Sequence, residues 1–92
     1  MIKTFAHKAL ERYYFHSDKR GLNARHVPRI ERILDRLNAA LSVADMNLPG
    51  YGLHRLSGNR QDTYSVKVSG NWRITFRFEE GSAFDVNLED YH

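Results

Sequence analysis

Three successive runs in the second half of this chain alternate apolar and polar residues with period two. Tyr64, Val66 and Val68 alternate with Ser65 and Lys67. Trp72, Ile74, Phe76 and Phe78 alternate with Arg73, Thr75 and Arg77, and Phe84, Val86 and Leu88 alternate with Asp85 and Asn87. Strict alternation is the mark of a strand with one buried face. The separators, Ser69-Gly70-Asn71 and Glu79-Glu80-Gly81-Ser82, are short enough for hairpin turns. The pattern therefore predicts a three-stranded antiparallel meander.

What precedes it is helical. Val27, Ile30, Ile33, Leu34, Leu37, Ala40 and Leu41 recur at three- and four-residue spacing, with Arg29, Arg32, Asp35 and Arg36 largely opposite. Pro28 suits a first helical turn, and this helix is expected to end near Ser42. Ala6 to about His16 reads as an earlier helix, with Ala9, Leu10, Tyr13 and Tyr14 on one side. Ile2 to Phe5 reads as a short first strand. Asn47-Leu48-Pro49-Gly50-Tyr51-Gly52 is a loop by its Pro and Gly content. The expectation is one α+β domain over residues 1–92: a short N-terminal strand, two helices, then the meander.

A chain of 92 residues has a thin core; it buries only about 60–65% of its unfolded surface. There is no cysteine, which excludes a disulfide scaffold, a Cys-ligated zinc site and thiol catalysis. None of the five histidines falls in a paired motif such as H-x-x-x-H, so no metal and no cofactor are expected. No signal peptide or membrane-spanning run is visible, and a cytoplasmic protein is expected.

The two helices must cover the apolar face of the sheet. The opposite face, carrying Lys67, Arg73, Thr75, Arg77, Asp85 and Asn87, is left as a polar surface on rigid strands, where a binding site belongs. With a net charge of +3, the distribution says more than the total. Arg55, Arg60, Lys67, Arg73 and Arg77 face a single acid, Asp62, between His54 and Phe78, whereas Glu79, Glu80, Asp85, Glu89 and Asp90 make the end acidic. Arginine forks suit phosphate, but alternate polar residues are also ordinary on a solvated sheet, and the pattern alone favours that plainer reading slightly. Glu89-Asp90-Tyr91-His92 gathers proton-transfer groups in a stretch that continues the last strand, with Tyr91 of the same parity as Asn87 and Glu89. A frayed tail is the ordinary alternative. His54, like His7, His16 and His26, reads on its own as a histidine without function. Trp72 and Phe84 read as core residues.

Taken together, Leu53-His54-Arg55-Leu56-Ser57-Gly58-Asn59-Arg60, Tyr64-Ser65-Val66, Asn71-Trp72-Arg73-Ile74-Thr75-Phe76 and Glu89-Asp90-Tyr91-His92 resemble the HigB-type toxins of the RelE/ParE superfamily. The resemblance runs over essentially the whole chain, and its specificity lies in the combination. It implies a RelE/ParE-like fold and a toxin of a type II toxin–antitoxin system that cleaves messenger RNA in the A site of the 70S ribosome. It implies a helix-turn-helix, HigA-like antitoxin, through which alone DNA would be met. Residue by residue it implies catalytic roles for His54, Arg73, Asp90, Tyr91 and His92. Arg55, Arg60, Lys67 and Arg77 remain the candidate RNA contacts from the charge pattern. Ser57 stands where some relatives carry a lysine. Two other functions stay open: a ParE-like gyrase inhibitor, against which the His54, Asp90 and His92 set argues, and an RNA- or ribosome-binding module that blocks without cutting.

Overall fold

The computed structural model describes residues 1–91, so the His92 expectation lies outside the described residues. The helical periodicity becomes α1 (Lys8–His16) and α2 (Val27–Ala39). Each turns its apolar stripe inward: Leu10, Ile30, Ile33, Leu34 and Leu37 are all essentially inaccessible to solvent. Burial of each such side chain contributes about 1.5–3 kcal/mol. Helix α1 starts at His7, whose Nδ1 accepts the Leu10 N–H at 3.2 Å. It stops at Ser17, which takes the left-handed conformation.

Helix α2 ends earlier than its apolar pattern suggests. The Asp45 carboxylate accepts the backbone N–H groups of Leu41 and Ser42 at 2.8 and 3.1 Å, and Ala40 turns extended. Leu41, expected on the buried stripe, is instead exposed. No helix among the described residues is long and apolar enough to cross a membrane.

The sheet has four antiparallel strands in sequential order: β1 (His54–Arg55), β2 (Thr63–Ser69), β3 (Trp72–Glu79) and β4 (Ser82–Asp90). The last three are the expected meander, and α1 and α2 supply the expected helices, so the α+β architecture stands. Two details differ. The fourth strand is β1, whose two residues are too few to show a period. The N-terminal segment forms no regular strand but runs parallel to β4 through bridges at Ile2–Ala83 and Phe5–Val86. Four backbone hydrogen bonds of 2.8–3.1 Å hold it there, and Ile2 N–H donates to Asn38 Oδ1 of α2 at 2.9 Å.

The core lies between this sheet and the helices, with Val66, Ile74, Phe76, Ala83 and Val86 fully buried beneath them. Alternation is interrupted once on β4. Thr75 pairs with Asn87 and Arg77 with Phe84, so β4 carries one extra residue there. The bulge is taken up at Asp85, in the left-handed region at φ 53°, which an aspartate tolerates better than most residues. Its N–H donates to Thr4 Oγ1 at 2.8 Å. The parity shift sends both Ala83 and Val86 into the core and turns Phe84 out to the polar face, where the Arg77 guanidinium lies 5.5 Å from its ring centroid. Phe84 is therefore not the core residue that period two predicts. Neither is Trp72: it faces the helix side but sits beyond the end of the core, 39% exposed.

Candidate active site

Register sets the site. His54 is the partner of Ser65, Ser65 of Thr75, and Thr75 of Asn87, so these four form one row across the polar face. The neighbouring row is Lys67, Arg73 and Glu89. His54 and Arg73 meet through two shared oxygens. Arg73 Nη1 donates to Gly52 O and to Ser65 Oγ, both at 3.3 Å. His54 Nδ1 lies 3.4 Å from Gly52 O and 3.4 Å from Ser65 Oγ.

The loop that brings Gly52 here is tied down from both sides. Lys67 N–H donates to Tyr51 O at 2.7 Å. Arg29, reaching across from α2, donates to Gly50 O at 2.7 Å and to Lys67 O at 3.1 Å, and its guanidinium stacks 4.5 Å from the Tyr51 ring centroid. Gly52 itself has φ 55°, a conformation that favours glycine.

The charged residues on this face divide into two groups. Arg60 grips Glu89 with two hydrogen bonds of 2.9 and 2.6 Å. The Thr75 hydroxyl donates to the same carboxylate. The Arg60 contact holds the Glu89 carboxyl below its usual range; burial opposes the shift, and Thr75 adds to it. Arg77 donates to Asp85 at 2.8 Å and to Glu79 at 2.6 Å. Arg60, Glu89, Thr75, Arg77 and Asp85 line a polar groove of about 290 Å³ with Thr63 and Asn87. Arg73 and Lys67, by contrast, have no ion pair among the described residues. Glu89 faces Arg73 in register, yet its carboxylate is held by Arg60 and Thr75. One row of the sheet thus keeps a cationic pair, Lys67 and Arg73, beside His54.

The remaining expected residues are distributed unevenly. Arg55 pairs with Tyr64 in register, on the opposite face from His54; it donates to Gln61 O and lies 5.9 Å from the Tyr64 ring centroid. Asp90 is the partner of Trp72, so strand alternation gives it the helix side of the sheet rather than the Arg73 side. Tyr91 follows on the next parity, its N–H donating to Asn71 O at 2.8 Å beside the Trp72–Arg73 pair. Ser57, the departure from the lysine of some relatives, is exposed at the start of a short turn over Gly58–Arg60. Two residues that sequence reasoning passed over, Ser65 and Gly52, are the ones that join His54 to Arg73. Period two marks Ser65 only as polar. Its role depends on the β1–β2 register, which no periodicity reveals in a two-residue strand.

Comparison with known proteins decides the family. Residues 3–92 match the model described as RelE-like toxin of type II toxin-antitoxin system HigB. The chain belongs to this HigB-like toxin family. It is 40% identical over 92 residues to Endoribonuclease HigB of Proteus vulgaris, with both chains covered in full. A solution structure of a conserved hypothetical protein from Helicobacter pylori aligns over 100% of this toxin and 93% of that chain at 21% identity and a TM-score of 0.47. The resemblance read from the L-H-x-L, N-W-R-I-T-F and D-Y-H segments is therefore borne out. As the toxin of a type II pair, the chain has an antitoxin partner.

Proposed function

We propose that this toxin is an endoribonuclease that cuts messenger RNA in the ribosomal A site, in the cytoplasm, by attack of the 2′-hydroxyl on the adjacent phosphate. The observation that carries the reading is the pairing of His54 with an Arg73 that no carboxylate neutralises among the described residues. The 2′-oxygen forms a bond to phosphorus, the bond to the 5′-oxygen of the next nucleotide breaks, and a 2′,3′-cyclic phosphate remains. A base must take the 2′ proton, an acid must protonate the leaving oxygen, and a cation must meet the charge of the phosphorane. Arg73 is the cation, with Lys67 beside it to hold the strand. His54 and His92 are the acid and the base. Asp90 orients or charge-tunes a histidine, and Tyr91 hydrogen-bonds or stacks on a nucleotide. The antitoxin is of the helix-turn-helix, HigA-like kind, and DNA is met only through it.

Neither arginine near Ser57 substitutes simply for the missing lysine: Arg60 is engaged by Glu89 and Arg55 by the Gln61 carbonyl. Lys67 and Arg73 therefore carry the phosphate contact. Single-turnover cleavage on programmed ribosomes tests the assignment. Arg73→Ala is expected to slow cleavage by roughly 10²–10³, and His92→Ala to slow it by roughly 10²–10⁴. Wild-type rates in both variants would overturn it. Intact messenger RNA on stalled ribosomes would favour a blocking module, and inhibition of gyrase supercoiling without new RNA ends would favour the gyrase reading.

A further inference from the structure

The chain's single tryptophan stands at the edge of a hollow that the chemistry above does not use. The hollow measures about 260 Å³ and is lined by His7, Gly21, Asn23, His26, Trp72 and Leu88. It lies on the helix side of β3, one residue from Arg73 and on the other face. We propose that this hollow receives an unpaired nucleobase of the RNA strand being cut, stacked on Trp72. The proposal rests on the reading of the toxin as an RNA-cutting enzyme and adds a nucleotide subsite to it.

Four observations converge. Trp72 is the largest exposed aromatic surface next to the site, although alternation would have buried it; base–aromatic stacking is how single-stranded RNA is held without regard to sequence. The His26 ring lies 6.1 Å from Trp72, centroid to centroid, and tilted by 55°. The two rings therefore form a corner instead of stacking on each other. His7 can present a donor to the hollow. Its Nδ1 already accepts the Leu10 N–H, which leaves the proton on Nε2, and burial, with help from Arg12, pushes its pKa down. Finally, a cation borders the hollow: Arg12 Nη2 lies 3.4 Å from where a Cβ on Gly21 would stand, and Gly21 has φ 85°. Among the described residues no carboxylate lines the hollow, though Asp90, opposite Trp72 in register, shares its side of the sheet.

Continuity with the site selects the occupant. Trp72 and Arg73 leave the same strand end on opposite faces, and Tyr91 is bonded to Asn71 beside them. An RNA strand that passes round the Asn71 hairpin can give its phosphate to Arg73 and a neighbouring base to Trp72.

The lone tryptophan is its own reporter. The full-length Arg73→Ala toxin, which is expected to cut roughly 10²–10³ more slowly, is titrated without ribosomes with a short single-stranded RNA while Trp72 fluorescence is followed. The same oligomer with abasic positions serves as the control. Saturable quenching by the RNA and none by the abasic strand is expected, with the Kd raised severalfold by His26→Ala in the same background. In cleavage on programmed ribosomes, Trp72→Leu is expected to raise KM roughly five- to a hundredfold with kcat within about twofold, and Trp72→Phe to recover part of the loss. Circular dichroism establishes folding; should Trp72→Leu fail to fold, His26→Ala takes its place in the cleavage assay. Equal quenching by the abasic strand, no quenching at all, or a wild-type KM in the folded variant would each overturn the subsite. Failure of the wild-type toxin to cut overturns the enzymatic reading instead, because the quench reports binding and needs no cleavage.

Discussion

Replacing Ser65 by alanine removes one hydroxyl that no solvent reaches and that touches both His54 and Arg73. A hydrogen bond to a charged group is worth about 1.5–3 kcal/mol when well formed. The Arg73 contact here, at 3.3 Å, is longer than the usual N–H···O distance, and Gly52 O at 3.3 Å remains as a second acceptor. The expected loss is therefore about 1 kcal/mol, or about fivefold in rate. That is small beside the roughly 10²–10³ expected for deleting Arg73 itself. A Tm shift of about 4–8 °C per kcal/mol is expected for a domain of this size, so rates are compared well below either melting temperature.

The discriminating measurement is a double-mutant cycle on single-turnover cleavage. If Ser65 works by placing Arg73 and His54, its removal in an Arg73→Ala background should cost less than in the wild type. In an Arg73→Ala, His54→Ala background it should cost nothing further. The same fivefold factor in all three backgrounds would show that Ser65 acts on stability or on another step. A wild-type rate for Ser65→Ala would show that the shared hydroxyl does not matter to the site.

Other parts of the fold give independent expectations. Glu89→Gln weakens the grip of Arg60 and should cost about 1 kcal/mol at neutral pH; because the folded carboxyl lies below its ordinary value of 4.5, the wild-type advantage is present above that pH and lost as pH falls through the folded value, which thermal melts across the acid range would show. Tyr13 donates to Glu31 at 2.6 Å and its pKa is pushed up to about 12, first by that bond and then by burial. Tyr13→Phe should lower stability by about 1 kcal/mol at neutral pH; the wild-type advantage is full below the ordinary value of 10.0 and lost as pH rises through about 12, which alkaline melts of both proteins would reveal. Arg29→Ala removes the strut under the Gly50–Gly52 loop and should cost about 1–2 kcal/mol, with faster hydrogen exchange at the Lys67 amide; Arg29→Lys should recover little, lacking the planar fork.

The meander and the two helices were legible because each buries one face, and burial writes its period into the residues. The misreadings have the same physical origin. Period two holds only while the register holds. One extra residue at Asp85 exchanges the faces upstream of it, so Phe84 leaves the core and Ala83 enters. Likewise, Leu41 fits the helical spacing, but the Asp45 carboxylate takes the backbone groups that another turn would have needed. Strand β1 left no trace because two residues carry no period.

Charge was legible in number but not in availability. The sequence places Arg55, Arg60, Lys67, Arg73 and Arg77 in one stretch, which suggests a uniformly basic face. Folding sets carboxylates from the acidic end of the chain against two of them, Arg60 and Arg77, and turns Arg55 away. Lys67 and Arg73 are left side by side, next to His54. Among the described residues, a phosphate approaching this face therefore meets unpaired positive charge at Lys67 and Arg73 and closed ion pairs at Arg60 and Arg77. The acidic end does not cancel the basic face. By occupying the flanking arginines it confines the available cationic contact to Lys67 and Arg73, beside His54.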